Sequence, residues 1–374
     1  MKVSIFVHNL SSNPIVRVYP IAKAIQLLGH DVEILGLTYY DSNVYKPYRN
    51  DFEYKTIQSY DDIRWVIING YKLSKLATGD IVYVFKPLWG TFWPGLLYSF
   101  WGFRRKLILD SEDNELWDAF IGNGWNDILK HPYYPINPIY NKLLHPFTLF
   151  STYKTVVCSR LQQRYGGDIV LHGPDATQFD PDKFIIQTLL RKKYGLPLDA
   201  RLLLFAGRPV FYNGLPFIVQ ALQKTSTTSW HLVLAGNPEE PLFLEAKNQL
   251  GDRCHILGFI PYENMAELVK LVDVVPIIQS RIPTTEMQMP AKLFEAMSMA
   301  KGIIATNVCD IPNLLENKRG WVIEPEDTNG FLEILILIDK EPSLLGSFGN
   351  ASRNYFCQNA SVEVIAEKIK PYFE

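Results

Sequence analysis

Short apolar runs recur along nearly the whole chain, each followed by a stretch with helical spacing. VSIFV (from Val3), DVEILGL (from Asp31), DIVYVF (from Asp80), KLILD (from Lys106), KTVVCS (from Lys154) and DIVLHG (from Asp168) form a first series. RLLLFAG (from Arg201), HLVLAG (from His231), CHILGF (from Cys254), DVVPII (from Asp273), GIIATN (from Gly302) and GWVIEP (from Gly320) form a second. Runs that are apolar throughout, rather than at every second position, predict strands buried on both faces of a parallel sheet. Between them lie helical patterns. Over Tyr19–Leu28, Ile21, Ala22, Ile25 and Leu28 make one apolar stripe and Gly29 supplies the stop. Strand and helix in alternation predict an α/β, doubly wound architecture.

The stretch GPDATQFDPDKF (Gly173–Phe184) separates the two series and is rich in Pro, Gly and Asp, which reads as a hinge rather than a packed element. Two Rossmann-like domains facing each other across a cleft are expected, over 1–178 and 179–356. The tail from Pro342 to Glu374 is helical in pattern without a strand, and about 357–374 is expected to cross back over the first domain.

Composition narrows the class. With 374 residues, 47% hydrophobic and 20% charged, the chain has the make-up of a globular protein with a sizeable core in two or three domains. Thirty-seven basic residues against 39 acidic ones leave a net charge of −2, so no nucleic-acid partner is expected. No run of about 18 apolar residues predicts a membrane span. The opening MKVSIFVHNL reads as a strand and not as a signal peptide. Cys158, Cys254, Cys309 and Cys357 have no metal or redox spacing. A reduced cytoplasmic location follows, with all four as small buried hydrophobes.

Ligands of open α/β sheets bind beyond the carboxyl ends of the strands. In the second series those ends carry Gly207 and Arg208, then Gly236 and Asn237, then Phe259 and Ile260. Glycine lets backbone approach a ligand, and arginine can clamp a phosphate with its fork. Taken singly, Gly207 and Arg208 are equally well an ordinary turn with a surface arginine, while Gly236 reads first as a turn glycine and Phe259 as a core residue. The richest stretch is SRIPTTEMQMPAKLFEAM, where a polar loop with Thr284, Thr285, Glu286, Gln288 and Met289 leads into a helix expected to begin at Pro290. Ala291, Lys292 and Leu293 fall in its first turn, where free N–H groups make an anion site. Glu295 is placed to accept hydrogen bonds from a vicinal diol such as a ribose. The plain alternative is a solvated Lys292–Glu295 surface pair.

Together these pieces resemble the family 4 retaining glycosyltransferases of the GT-B fold. Five local matches occur in the family's order: CSRLQQRYGGDIVLHGPDATQFDP, FAGRPVFYNG, LVLAGN, ILGFIPYENMAELVKLVDVVPII and MPAKLFEAMSMAKGIIATNVCDIPNLLENKRGWVIEPED. The resemblance implies a UDP-sugar donor, with UDP-glucose favoured, and transfer of its hexose to a glycan or lipid-linked acceptor in polysaccharide assembly. It implies donor contacts from Gly207, Arg208, Asn213, Gly236, Asn237, Phe259, Ile260, Glu286, Gln288, Met289, Pro290, Ala291, Lys292, Leu293 and Glu295. Asn213 stands where the family has a lysine, so Lys292 is the candidate second cation. Glu286 and Glu295 lie one residue further apart than the family's glutamate pair, leaving either Glu286 or backbone near Gln288 and Met289 to meet the sugar. Arg208, Lys292 and the N–H groups of Met289–Ala291 would neutralise the leaving diphosphate, with no cofactor and no metal expected. On the acceptor side the strand end LILDSEDNEL offers Asp110, Glu112 and Asp113. The catalytic candidates are thus Glu112, Asp113, Arg208, Glu286 and Lys292.

Other readings stay open at this point. A nucleotide-sugar epimerase or phosphorylase shares the architecture, and a non-catalytic nucleotide-sugar-binding subunit fits the missing lysine. A metal-dependent GT-A enzyme fits poorly, because the Asp180-Pro181-Asp182 tripeptide lies in the hinge. A dinucleotide-dependent dehydrogenase lacks its GxGxxG turn. WGTFWPGLLYSFWGFRRK (Trp89–Lys106) is aromatic and ends in basic residues, so it is either a crossover helix packed on the first sheet or a contact with the inner face of a membrane.

Overall fold

The structure, a computed structural model, describes all residues except 12–14, 40–42, 45–50, 102–104, 114–129, 185 and 225–228. Every apolar run of the sequence contains a strand. A first unit, Met1–His172 with Val362–Glu374, holds β1 (Lys2–Val7), β2 (Asp31–Thr38), β3 (Glu53–Gln58), β4 (Ile81–Phe85), β5 (Leu107–Ser111), β6 (Tyr153–Val156) and β7 (Asp168–Ile169). These pair in parallel in the order β3-β2-β1-β4-β5-β6-β7, with Ile5 of β1 opposite Ile34 on one side and Tyr83 on the other. The inner strands are buried on both faces, as their unbroken apolar character requires.

β3 escaped the sequence pattern for a physical reason. EYKTIQ is an edge strand, half open to solvent, in which Ile57 alone packs on the core and charges supply further contacts. Lys55 of β3 donates to Glu33 of β2 at 2.7 Å, and Lys2 of β1 lies 2.9 Å from the same carboxylate.

The second unit, Gly173–Ser361, holds β8 (Arg201–Ala206), β9 (Trp230–Ala235), β10 (Cys254–Ile256), β11 (Val274–Ile277), β12 (Gly302–Thr306) and β13 (Trp321–Ile323). All are parallel, in the order β10-β9-β8-β11-β12-β13. Both sheets reverse their order once, between β1 and β4 and between β8 and β11. At such a switch point the flanking loops turn to opposite sides and leave a crevice.

The boundary between the units lies at His172–Gly173, six residues before the expected 178/179. Packing explains the difference. The Gly173 N–H donates to Ala360 O at 3.1 Å, and a Cβ on Gly173 would sit 2.2 Å from the Phe356 ring. Phe179 is fully buried, and Arg353 donates to Phe179 O and to Asp180. The Pro- and Gly-rich stretch is therefore a packed start to the second unit rather than a free hinge. The tail splits likewise: the helix Ser343–Asn359 stays with the second unit, and the return to the first begins at Val362 rather than at about 357. The first helix also differs, running Ile15–Leu27 through Pro20 instead of starting at Tyr19. Cys158 and Cys254 are buried, but Cys309 is partly exposed and Cys357 exposed, so two of the four are not core residues.

Candidate active site

The carboxyl ends of β8, β9 and β10 meet through bare backbone. Gly207 follows β8 with φ +105°, and its N–H donates to Ala235 O at 2.8 Å. Gly236 follows β9 and donates to Gly258 O at 2.9 Å, and Gly258 has φ +75°. A Cβ on Gly236 would stand 3.0 Å from Gly207 O, so side chains have no room between these strand ends. The sequence reading had passed over Gly258; its signal was a glycine directly after an apolar run. Around this floor Arg208 and Asn237 are exposed and Ile260 is half-buried. Phe259 is 68% exposed, which overturns its reading as a core residue. Asn237 Oδ1 accepts the Glu239 N–H at 3.2 Å and so closes the turn after β9.

Beside this floor stands the helix Ala291–Ser298. Pro290 has φ −68° and ψ 126°, so it is the N-cap and the helix starts one residue later than expected. No side chain caps it, which leaves its first N–H groups, Ala291 and Lys292, available to an anion. The Lys292 ammonium lies 4.9 Å from the centre of the Phe205 ring of β8. It is turned onto the sheet rather than into solvent. Burial pulls the Lys292 pKa down, and the attraction of Glu295 partly restores it. Burial pushes the Glu295 carboxyl up to about 7, against the opposing pull of Lys292. Both side chains are half-buried, unlike those of a solvated surface pair. Leu293 is fully buried and Met289 is 3% exposed, so those side chains belong to the core and only their backbone can reach a donor.

The loop between β11 and this helix is fixed from inside. Thr285 is fully buried, and its hydroxyl donates to Ser280 O at 2.6 Å while accepting the Ile282 N–H at 3.1 Å. Glu286 meets Arg281 at 3.5 Å, and Arg281 also donates to Asn307 O at 2.6 Å. Gln288 is half-buried with extended backbone. The loop after β8 is tied to the same region: Ser280 N–H donates to Tyr212 O at 3.0 Å, and Asn213 closes the turn by donating to Val210 O at 2.9 Å. One further residue had no sequence signal. Gln279, at the end of β11, is 5% exposed, and its side-chain oxygen has no hydrogen-bond partner.

A ring of glycine backbone, an uncapped helix start and a half-buried lysine at one sheet end fit an anionic ligand, and the sequence of this unit carries the same message. Residues 200–338 match the profile of the glycosyl transferases, group 1. This stretch is thus similar to that family. A Bacillus subtilis glycosyltransferase named for teichuronic acid biosynthesis is 24% identical over 153 residues, 41% of this chain and 36% of that protein. A D-inositol 3-phosphate glycosyltransferase of Xylanimonas cellulosilytica is 28% identical over 190 residues, 47% of this chain and 44% of that protein. The chain thus spans about two fifths of the length of these curated relatives. The fold also matches HepE of Anabaena, solved in complex with UDP and glucose, with a TM-score of 0.75 at 15% identity over 100% of this chain and 99% of that one. At that identity the likeness is one of fold, and the fold is the two-unit GT-B type.

The first unit has its own polar cluster at the ends of β1, β4 and β5. Lys86 directly follows β4 with φ +67°, a left-handed geometry that non-glycine residues rarely hold. Its ammonium pairs with Glu112 at 3.1 Å and with Asp113. Burial raises the Glu112 pKa and Lys86 counteracts it. His8, one residue past β1, has a buried Nδ1 without a hydrogen-bond partner, and burial beside Lys86 brings its pKa down to about 4. Asp110 takes no part in this cluster, contrary to the sequence expectation. Fully buried, it binds Arg17 at 2.7 and 3.1 Å and accepts from Thr155 at 2.6 Å. Of LILDSEDNEL, the residues from Asn114 onward lie outside the described residues, as do Ser12–Pro14 of the loop after β1.

Proposed function

We propose that the chain is a retaining, metal-independent glycosyltransferase that moves glucose from UDP-glucose to a glycan or lipid-linked acceptor in polysaccharide assembly. The observation that carries this reading is Lys292 held against Phe205 beside the Gly207–Gly236–Gly258 floor, within the residues that match the family. The UDP and glucose bound in the Anabaena structure support the donor, and the Bacillus relative's name supports the pathway class.

In this reading the uracil lies near exposed Phe259, and the ribose hydroxyls donate to the Glu295 carboxylate. The diphosphate faces the Ala291 and Lys292 N–H groups with Lys292 and Arg208. As the glycosidic bond breaks, negative charge grows on the departing diphosphate. Fixed donors aimed at that charge lower the barrier most when they are already in place. On the acceptor side, Glu112 and Asp113, held by Lys86, orient the incoming hydroxyl.

Calorimetry with UDP-, GDP- and ADP-sugars in chelator, followed by transfer to glycolipid acceptors with the product anomer read by NMR, tests every part. The expected result is tightest binding of UDP-glucose, no effect of chelation, and a product that keeps the donor's anomeric configuration. Donor binding restored only by Mn²⁺ or Mg²⁺ overturns metal independence. Epimerised donor without acceptor replaces transfer by the epimerase reading, and binding without turnover leaves a nucleotide-sugar-binding subunit.

A further inference from the structure

Away from both strand-end clusters, the first unit carries an exposed aromatic face. The helix Ile63–Ser74 buries Ile63, Val66 and Leu73 and presents Trp65 and Tyr71, each 44% exposed, on its outer side. Tyr71 meets Trp101 edge-on at 5.4 Å. The neighbouring Phe100 meets Phe150 at 5.6 Å. Leu149, next to it, is 80% exposed. Three segments distant in sequence thus join into one surface instead of scattered apolar side chains, the pattern that marks an interaction site. The segment Trp89–Lys106 contributes only its end. Phe92, Leu96 and Tyr98 are buried against the first sheet, as the crossover-helix reading requires.

Charge says what the face meets. Residues 63–79, 81–106 and 130–156 contain no Asp or Glu, in a chain whose acidic residues outnumber its basic ones 39 to 37. Lys72, Lys75, Lys130 and Lys142 are exposed, and the Lys75 ammonium lies 4.5 Å over the Tyr71 ring. Acids stand at its edges: Asp62 pairs with Arg64 at 2.5 Å, and exposed Asp80 lies between two of these spans. Tryptophan, tyrosine and phenylalanine among lysines match the level where acyl chains give way to headgroups, because each has an apolar body and a polar or charged rim. A second copy of this face, brought up by a two-fold axis, would set lysines against lysines.

We propose that this face rests on an anionic lipid bilayer, with Tyr71, Trp101, Leu149 and Phe150 at headgroup depth and the lysines against the lipid phosphates. The proposal is independent of the donor reading, because vesicle binding requires no nucleotide sugar. The full chain is to be sedimented with phosphatidylcholine vesicles, with and without about a third phosphatidylglycerol, at low salt and in about 0.5 M salt. The expected result is binding to the anionic vesicles that falls at least about tenfold without phosphatidylglycerol or in high salt. Lys72→Glu with Lys75→Glu, and separately Leu149→Glu with Phe150→Glu, each lower it at least about tenfold. All four sites are exposed, and unchanged melting curves show that both double variants fold. A chain that stays in the supernatant, or variants that bind as well as the parent, overturns the proposal. So does a concentration-dependent dimer in light scattering that Leu149→Glu abolishes, which would assign the face to a second copy.

Discussion

A carboxyl group that accepts two hydrogen bonds from a diol works only as a carboxylate, and Glu295 keeps its proton up to about pH 7 in the free protein. Donor affinity should therefore weaken as pH falls below about 7, approaching tenfold per unit, and Glu295→Gln should bind weakly at every pH. Calorimetry between pH 5.5 and 8.5 reads this directly; an affinity that stays flat in the parent removes Glu295 from the ribose. The same burial has a stability consequence of definite sign. A carboxyl raised above its unfolded value binds more protons when folded, so stability declines as pH rises from the unfolded value to about 7. Glu295→Gln should then melt higher than the parent at pH 8 and equally at pH 4. Arg208 and Lys292 act on the other side of the reaction. Removing either should lower kcat by roughly 100- to 1000-fold, about 3–4 kcal/mol, whereas Glu295→Gln should mainly raise donor KM. If Lys292→Ala turns over normally, its position over Phe205 is packing alone. Asp110 belongs to a different class: Asp110→Ala leaves the buried Arg17 without its carboxylate, a loss of about 3–5 kcal/mol in urea unfolding.

At the scale of elements, the proposed donor site rests on two loops held against each other at a glycine. Gly214 has φ +67°, and a Cβ there would lie 2.3 Å from Ile278 Cγ2. Gly214→Ala should push the loop after β8 away from the loop after β11, lower the melting temperature and raise donor KM at least tenfold by separating Arg208 from Lys292. An unchanged KM in the alanine variant would show that Arg208 is positioned from elsewhere. This coupling was invisible in the sequence, because Gly214 and Ile278 are far apart in the chain and nothing in either segment points to the other. Legibility followed burial throughout. LLLF of β8 is dry on both faces and reads as a strand from composition alone, whereas EYKTIQ of β3 is an edge and reads as nothing. In the same way, Gly207, Arg208, Lys292 and Glu295 stand out in the sequence as candidates because strand ends and helix starts are where ligands of such sheets bind. Gln279 and His8 were missed because an isolated polar residue after a strand looks like any loop, and only burial without a partner distinguishes them. Arg281 was missed because its role depends on a fold-level meeting with Asn307 and Glu324.

At the scale of the whole molecule, the two units respond to acid with different balances. In the first, Glu33 is fully shielded from solvent, and burial alone would raise its pKa. Hydrogen bonds from Lys55, Ser4 and the Thr78 N–H outweigh that and bring it down to about 2. A depressed carboxylate adds stability that is fully present above its unfolded value and is lost as pH falls toward 2. His8, lowered to about 4, loses stability as pH falls from 6.5 to 4, because the unfolded chain takes up the proton first. Burial lowers His172 in the same direction, whereas Glu112, raised by burial, opposes these groups. In the second unit His255 and Glu267 have that same sign, but Glu295 opposes them by gaining stability as pH falls from about 7. Acid should therefore loosen the first sheet before the second. Hydrogen exchange at about pH 3.5 and pH 7.5, corrected for intrinsic rates, should show the Ile5 and Ile34 amides of β1 and β2 losing protection while Leu203 and Leu232 of β8 and β9 keep theirs. Glu33→Gln should bring that loss on at higher pH, since it removes the anion that Lys2 and Lys55 hold in place. Should the amides of the second sheet exchange first, the balance argued from Glu33, His8 and Glu295 has the wrong sign.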